Sequence, residues 1–188
     1  QNEITNLSYK IISNLVRHLK AVQGGFYFIE PGVENYKRID LLAFYAFGEE
    51  QAAQNSFEIG EGIIGEVVRK REKVLLDNVP NSYVEVVSGL GRANPRKFLA
   101  VPIFNDNGVY GALELSSFKD FEDFQVEFVE KLAGIIASTL ESMLANQRTQ
   151  LLLLESDKQK VQLKETELDL KQNLEQMKEA QREMARRE

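Results

Sequence analysis

From Ile135 to Glu188 the chain contains neither glycine nor proline, and an amphipathic helical pattern passes there without a break into a charged stripe. A helix starting near Phe121 and running to the C-terminus would be roughly 100 Å long at the rise of an α-helix, several times the radius of any domain the preceding residues could build. A polar helix of that kind is marginal in water by itself, so the stripe calls for a partner chain, and a second copy is the simplest one. Leu163, Leu170, Met177 and Met184 recur every seven residues, with Leu174 at one complementary position and Glu167 and Gln181 at the others. Leu154, Val161 and Leu168 also recur at seven, on a different phase. This pattern predicts a two-stranded coiled coil with a stutter, a place where the supercoil unwinds locally and admits more than one packing. The polar residues at seam positions are what a plain solvated helix would also carry.

Composition narrows the rest. The 188 residues leave room for one globular domain ahead of the stripe, so the expected division is a domain over 1–145 and a coiled-coil linker over 146–188. A net charge of -6 argues against a nucleic-acid partner, because neutralising phosphates takes a basic surface. Acidic and basic residues nearly cancel in the tail, so contact with an anionic membrane is not expected of it. With no cysteine, the chain has no disulfide, no thiolate nucleophile and no thioether attachment point, which fits a reducing, cytoplasmic location. No apolar run approaches a membrane span and no signal peptide opens the chain. A first residue other than Met and an end inside a helical pattern are expected of a segment cut from a longer protein.

Apolar residues at Ile4, Leu7, Ile11, Leu15, Leu19 and Val22 predict a first helix that Gly24-Gly25 would end. Phe26 to Ile29 and Ile39 to Phe47 read as an antiparallel hairpin. Phe57-Glu58-Ile59 is a short strand, Ile63 to Lys70 two helical turns, and Val74 to Leu76 a strand again. Asp77 to Lys97 reads as a long loop, suspected of function on account of its length. Phe98 to Phe104 and Val109 to Phe118 form a hairpin about the turn at Asn105 to Gly108. Asp120 is a candidate N-cap for the final helix. The fold class is therefore α+β, an antiparallel sheet with both terminal helices packed on one face and the other face left free for the loop.

Pairing Phe104 with Val109 would set Leu99 opposite Glu114, Val101 opposite Ala112 and Ile103 opposite Tyr110 on that free face. Glu114, flanked by Leu113 and Leu115 in a half-buried strand, then needs a partner, and Arg96 is the candidate. The pair would be either a stabilising ion pair beneath the loop or part of a ligand contact.

Other motifs carry little. Gly60-Glu61-Gly62-Ile63-Ile64-Gly65 matches the dinucleotide fingerprint in letters, but the residues before it are half polar and the helix after it is too short for the crossover. The single histidine, His18, lacks companions for metal or acid-base work and reads as a packed or surface residue. Ser88 to Gly91 could offer backbone N–H groups to an anion. No acid-base pair, metal cluster or nucleophile constellation stands out, so an enzyme is not expected, and no cofactor can be named.

The run Phe57 to Gly65, Val79-Pro80, Ser88 to Gly91 with Asn94-Pro95-Arg96, Val101-Pro102-Ile103 and Gly111 to Leu115 resembles a GAF domain across roughly Ile11 to Met143. Lys171 to Met177 and Glu183 to Arg186 resemble the helical linkers of bacterial sensor proteins. The resemblance implies a regulatory domain with its pocket between the free sheet face and the long loop, a parallel dimer, and output passed along the coil. The chain lacks the cysteine of bilin-binding members, the cysteines of the methionine-sulfoxide-reducing members, and the Asn-Lys-Phe-Asp-Glu set of cyclic-nucleotide binders.

On this reading the chain is the sensory module of a bacterial, two-component-like signalling protein. It would dimerise through its terminal helices and coil, bind an unknown small molecule and act on a downstream signalling domain; the alternative is a ligand-free dimerisation scaffold. The expected ligand-binding residues are Tyr83, Ser88, Leu90 and Arg96 from the loop, with Leu99, Val101, Tyr110, Ala112, Glu114 and Ser116 from the sheet. Arg96 or the Ser88 to Gly91 backbone would meet an anionic group, Glu114 would orient Arg96, and Tyr83 would close the mouth.

Overall fold

The computed structural model describes residues 2–30, 38–46, 56–77, 86–88, 91–93, 95–184 and 186, with backbone alone at 2, 86–88, 91–93 and 183. Helix α1 (Asn2–Leu19) leads into strands β1 (Gln23–Phe28), β2 (Arg38–Ala46) and β3 (Ser56–Glu58). Helix α2 (Gly62–Lys70), strand β4 (Val74–Leu76) and the short strands β5 (Val86–Ser88) and β6 (Gly91–Ala93) follow. Strands β7 (Lys97–Asn105) and β8 (Gly108–Ser117) then precede helix α3 (Asp123–Met184). The main sheet is antiparallel and six-stranded, in the order β3-β2-β1-β8-β7-β4, while β5 and β6 pair with each other. The stretch expected to be an open loop thus holds a small hairpin of its own.

The chain falls into two compact units, Gln1–Glu141 and Ser142–Glu188. In the first, α1 buries Ile4, Ile12, Leu15, Val16 and Leu19, and α3 buries Val126, Val129, Ala133, Ile136, Ala137 and Leu140. This is the spacing of one helical face in each case. The His18 ring lies 5.5 Å from that of Phe128, which sets the C-terminal end of α1 beside the first turns of α3. Glu141 of α3 accepts from the Asn105 side-chain amide at 2.8 Å and from that of Asn107 at 2.6 Å, tying the helix to the β7-β8 turn. In the second unit, the side chains described beyond Gln147 are all exposed, including Leu163, Leu170, Leu174, Met177 and Met184. Among the described residues no helix is long and apolar enough to cross a membrane.

Three local expectations are corrected. Helix α1 stops at Leu19, where Lys20 takes a left-handed conformation, and Gly24-Gly25 lie inside β1. Those glycines are not a helix end: a Cβ on Gly24 would come within 2.7 Å of a Val16 methyl and 2.9 Å of an Ile12 methyl, so the bare backbone lets α1 lie close on the sheet. Helix α3 begins at Asp123, and the Glu122 N–H donates to the Gln125 side-chain oxygen at 2.9 Å, half of a capping box. Asp120, the expected cap, pairs instead with Lys97, which also holds Asp77 at 2.9 Å.

The third correction decides which residues share a face. Phe104 does pair with Val109, but the register shifts immediately beyond, so that Ile103 lies opposite Gly111, Val101 opposite Leu113, Ala100 opposite Glu114 and Leu99 opposite Leu115. The β-bulge leaves Tyr110 as the extra residue, and a one-residue slip moves every later partner to the other face. Gly24, Leu115 and Leu99 therefore form one row under α1, with Phe26, Leu113 and Val101 in the next. The opposite face carries Gln23, Ser116 and Phe98 in one row and Gly25, Glu114 and Ala100 in the next. Tyr27 and Ala112 continue it.

That opposite face is not free. Ile64, Val67 and Val68 of α2 form a buried cluster with Tyr27, Ile39, Phe98, Ala100 and Ala112. Ile64, Val67 and Val68 form the apolar face of α2, and that face packs on this sheet surface.

Candidate functional site

Where the sheet face carries Gln23, Glu114 and Ser116, apolar packing gives way to polar groups. All three are buried, at 6%, 5% and 0% exposure. Small residues surround Glu114: Gly25 on β1 and Ala100 on β7 lie directly opposite, and Ala112 and Ser116 are its same-face neighbours along β8. The Tyr27 hydroxyl donates to its Oε2 at 2.8 Å. Burial pushes the Glu114 carboxyl up to about 7, and the Tyr27 hydrogen bond only partly opposes that rise. The Ser116 hydroxyl is buried and has no hydrogen-bond partner among the described residues. An orphaned hydroxyl beside a reluctant carboxyl is an arrangement that folding alone does not favour.

Of the residues expected to line a ligand, Ala112, Glu114 and Ser116 share this face. Leu99 and Val101 do not: the bulge turns them to the side of α1. Tyr110, the bulged residue, lies toward α3, its hydroxyl raised by burial and by the Glu141 carboxylate and hydrogen-bonded to Asn105. Arg96 is exposed, and the partner that Glu114 required is Tyr27, not Arg96. Tyr83 and Leu90 lie outside the described residues, as does the side chain of Ser88, whose backbone ends β5. Tyr27, Gln23 and Gly25 were not among the residues expected at a ligand site, Gly25 having been expected to end the first helix. Their signal was the alternation of β1, which puts Gln23, Gly25 and Tyr27 on one face, but no local pattern says that this face meets Glu114.

Other chemistry is sparse. Among the described residues no group of histidines and carboxylates could hold a metal ion. The glycines of the apparent dinucleotide fingerprint shape a turn: Gly60 and Gly62 take positive φ, and a Cβ on Gly65 would come within 2.5 Å of the Glu58 carbonyl oxygen. The strand before them, β3, is a three-residue antiparallel edge, unlike the buried parallel strand that a nucleotide-binding turn follows.

The fold has solved counterparts. The GAF domain of an Acinetobacter phosphoenolpyruvate-protein phosphotransferase superposes with a TM-score of 0.60 at 20% identity, covering 75% of this chain and 84% of that one. The GAF-B domain of DevS from Mycobacterium smegmatis gives 0.60 at 14% identity, covering 77% and 97%. Free methionine-R-sulfoxide reductase from Neisseria meningitidis gives 0.56 at 20% identity, covering 73% and 77%. At these identities the likeness is one of fold, shared by GAF domains of larger proteins and by a free methionine-R-sulfoxide reductase. No curated protein sequence matches the chain. The family model described as "GAF domain" matches residues 2–141, all but the first residue of the first compact unit. With that match and the six-stranded antiparallel sheet between its helices, the chain belongs to the GAF domain family.

Proposed function

We propose that the chain is a non-enzymatic sensory module of a bacterial signalling protein, in which a small molecule over the Glu114 face biases the packing of two paired α3 helices. GAF domains are typically sensory or regulatory modules, and the solved counterparts include GAF domains of DevS and of a phosphoenolpyruvate-protein phosphotransferase. The observation that carries the reading is the continuity of α3: one helix from Asp123 to Met184 buries its first turns in the domain and exposes a seven-residue apolar stripe further on. A helix with that division of labour can report a change in the domain to whatever follows it. The stripe would be covered by the same stripe of a second copy, giving a parallel dimer in the cytoplasm that acts on a downstream signalling domain. A coupling of about 1 to 3 kcal/mol between ligand and coil suffices to change output several-fold to a hundredfold. The absence of cysteine removes thiol-based reduction from the chemistry open to it.

A metabolite panel screened by thermal shift tests the ligand. The expected result is a compound that raises Tm with its saturation, and a panel without effect counts against the sensory reading. One observation favours a second reading, a ligand-free dimerisation scaffold: α2 already fills part of the sheet face with Ile64, Val67 and Val68. A flat screen together with a stable dimer is the result that reading predicts.

A further inference from the structure

We infer that the position over Glu114 takes the protonated amine of a small ligand, with the Glu114 carboxylate and the Ser116 hydroxyl as its acceptors. The inference rests on the sensory reading above and specifies the ligand's chemistry. Among the described residues no charged group faces Glu114. Tyr27 comes from β1, Ala100 stands opposite on β7, and α2 contributes Ile64, Val67 and Val68 to the same face. Its raised pKa has burial as the largest cause, and among the described residues no neighbouring charge contributes to it. A carboxylate in that setting is short of a cation, and an arriving ammonium supplies the missing charge. Two residues along the same face, Ser116 holds a fully buried oxygen with no partner among the described residues, which gives the same ammonium a second acceptor. An anionic ligand would meet the wrong sign of charge. The anion expected from Arg96 is therefore replaced by a cation at Glu114.

The carboxyl must ionise to receive the ammonium. With its pKa at about 7, affinity for an alkylamine, itself protonated throughout, should rise about tenfold from pH 6 to pH 8. The test is calorimetric titration of the whole chain at both pH values. The probes are primary monoamines, diamines and amino acid amides, alongside size-matched carboxylates and alcohols. We expect saturable binding among the amines, stronger at pH 8, and weakened more than tenfold in Glu114→Gln. That variant keeps the shape of the side chain and should melt at a higher temperature than the parent at pH 8. A side chain with a purely structural role would not couple a gain in stability to a loss of amine binding. Ser116→Ala should weaken the same amines with little change in melting. Saturable binding confined to carboxylates or alcohols, or amine binding untouched in Glu114→Gln, overturns the amine assignment and leaves the sensory reading standing. Failure of every class to bind overturns both.

Discussion

Glu114 is the residue at which this fold departs most from what stability alone would select. Its carboxyl ionises near 4.5 in the unfolded chain and at about 7 in the folded one. Below 4.5 both states hold the proton and the side chain costs nothing through ionisation. Between the two values the unfolded state releases its proton first, so stability falls as pH rises and the full loss is reached above 7. The size is on the order of 3 kcal/mol for a group this deeply buried. Glu114→Gln should remove that dependence: in urea unfolding its advantage over the parent should grow between pH 5 and pH 8, and an advantage that stays constant would mean that the carboxyl is not desolvated. Tyr27→Phe acts in the opposite direction. It deletes the hydroxyl that donates to Glu114 and leaves a buried acceptor unpaired, a loss of about 1 to 3 kcal/mol by the same unfolding measurement. That Glu114 needed a partner was legible from Leu113 and Leu115 on either side of it. The partner's identity was not, because Tyr27 is 87 positions away and is brought beside Glu114 only by the pairing of β1 with β8.

At the scale of elements, the strands and helices of the first unit were legible wherever a period was sustained, as in α1, α2, β7 and β8. What failed was the join between periods. The hairpin β7-β8 was read with the right turn and the right first pair, yet the bulge at Tyr110 shifted all that followed, exchanging Leu99 and Val101 for Phe98 and Ala100 on the polar face. Nothing local announces the bulge; Tyr110 is drawn out of register toward Asn105 and Glu141, the latter on a helix that follows much later. Gly111 beside it had a legible reason to be glycine only once β1 was in place, since a Cβ there would lie against the Tyr27 carbonyl carbon at 2.8 Å. Gly111→Ala should therefore cost about 3 kcal/mol or more in thermal or urea unfolding, because the obstacle is backbone of a central strand and cannot turn aside. Likewise α2 was read as helix but not as the cover of a sheet face. A nine-residue amphipathic segment says that it must bury one side, and only the tertiary arrangement says against what.

At the scale of the whole molecule, α3 begins in the domain's core and carries an exposed stripe further on, and the proposed signalling needs that stripe to find its match in a second copy. The period from Leu163 to Met184 was plain in the sequence, and the helix carries it unbroken. The chain has no cysteine, so one placed on the stripe reports only its own neighbourhood. Leu170, 59% exposed on α3, is the position to use. Under mild oxidation at micromolar concentration, Leu170→Cys should give a disulfide-linked dimer in high yield, because parallel helices in register bring identical seam positions together. A control cysteine on the outer side of the helix, Gln172→Cys, should not. Equal, slow cross-linking of both variants, with light scattering reporting monomers, would contradict the paired helix on which the sensory reading depends.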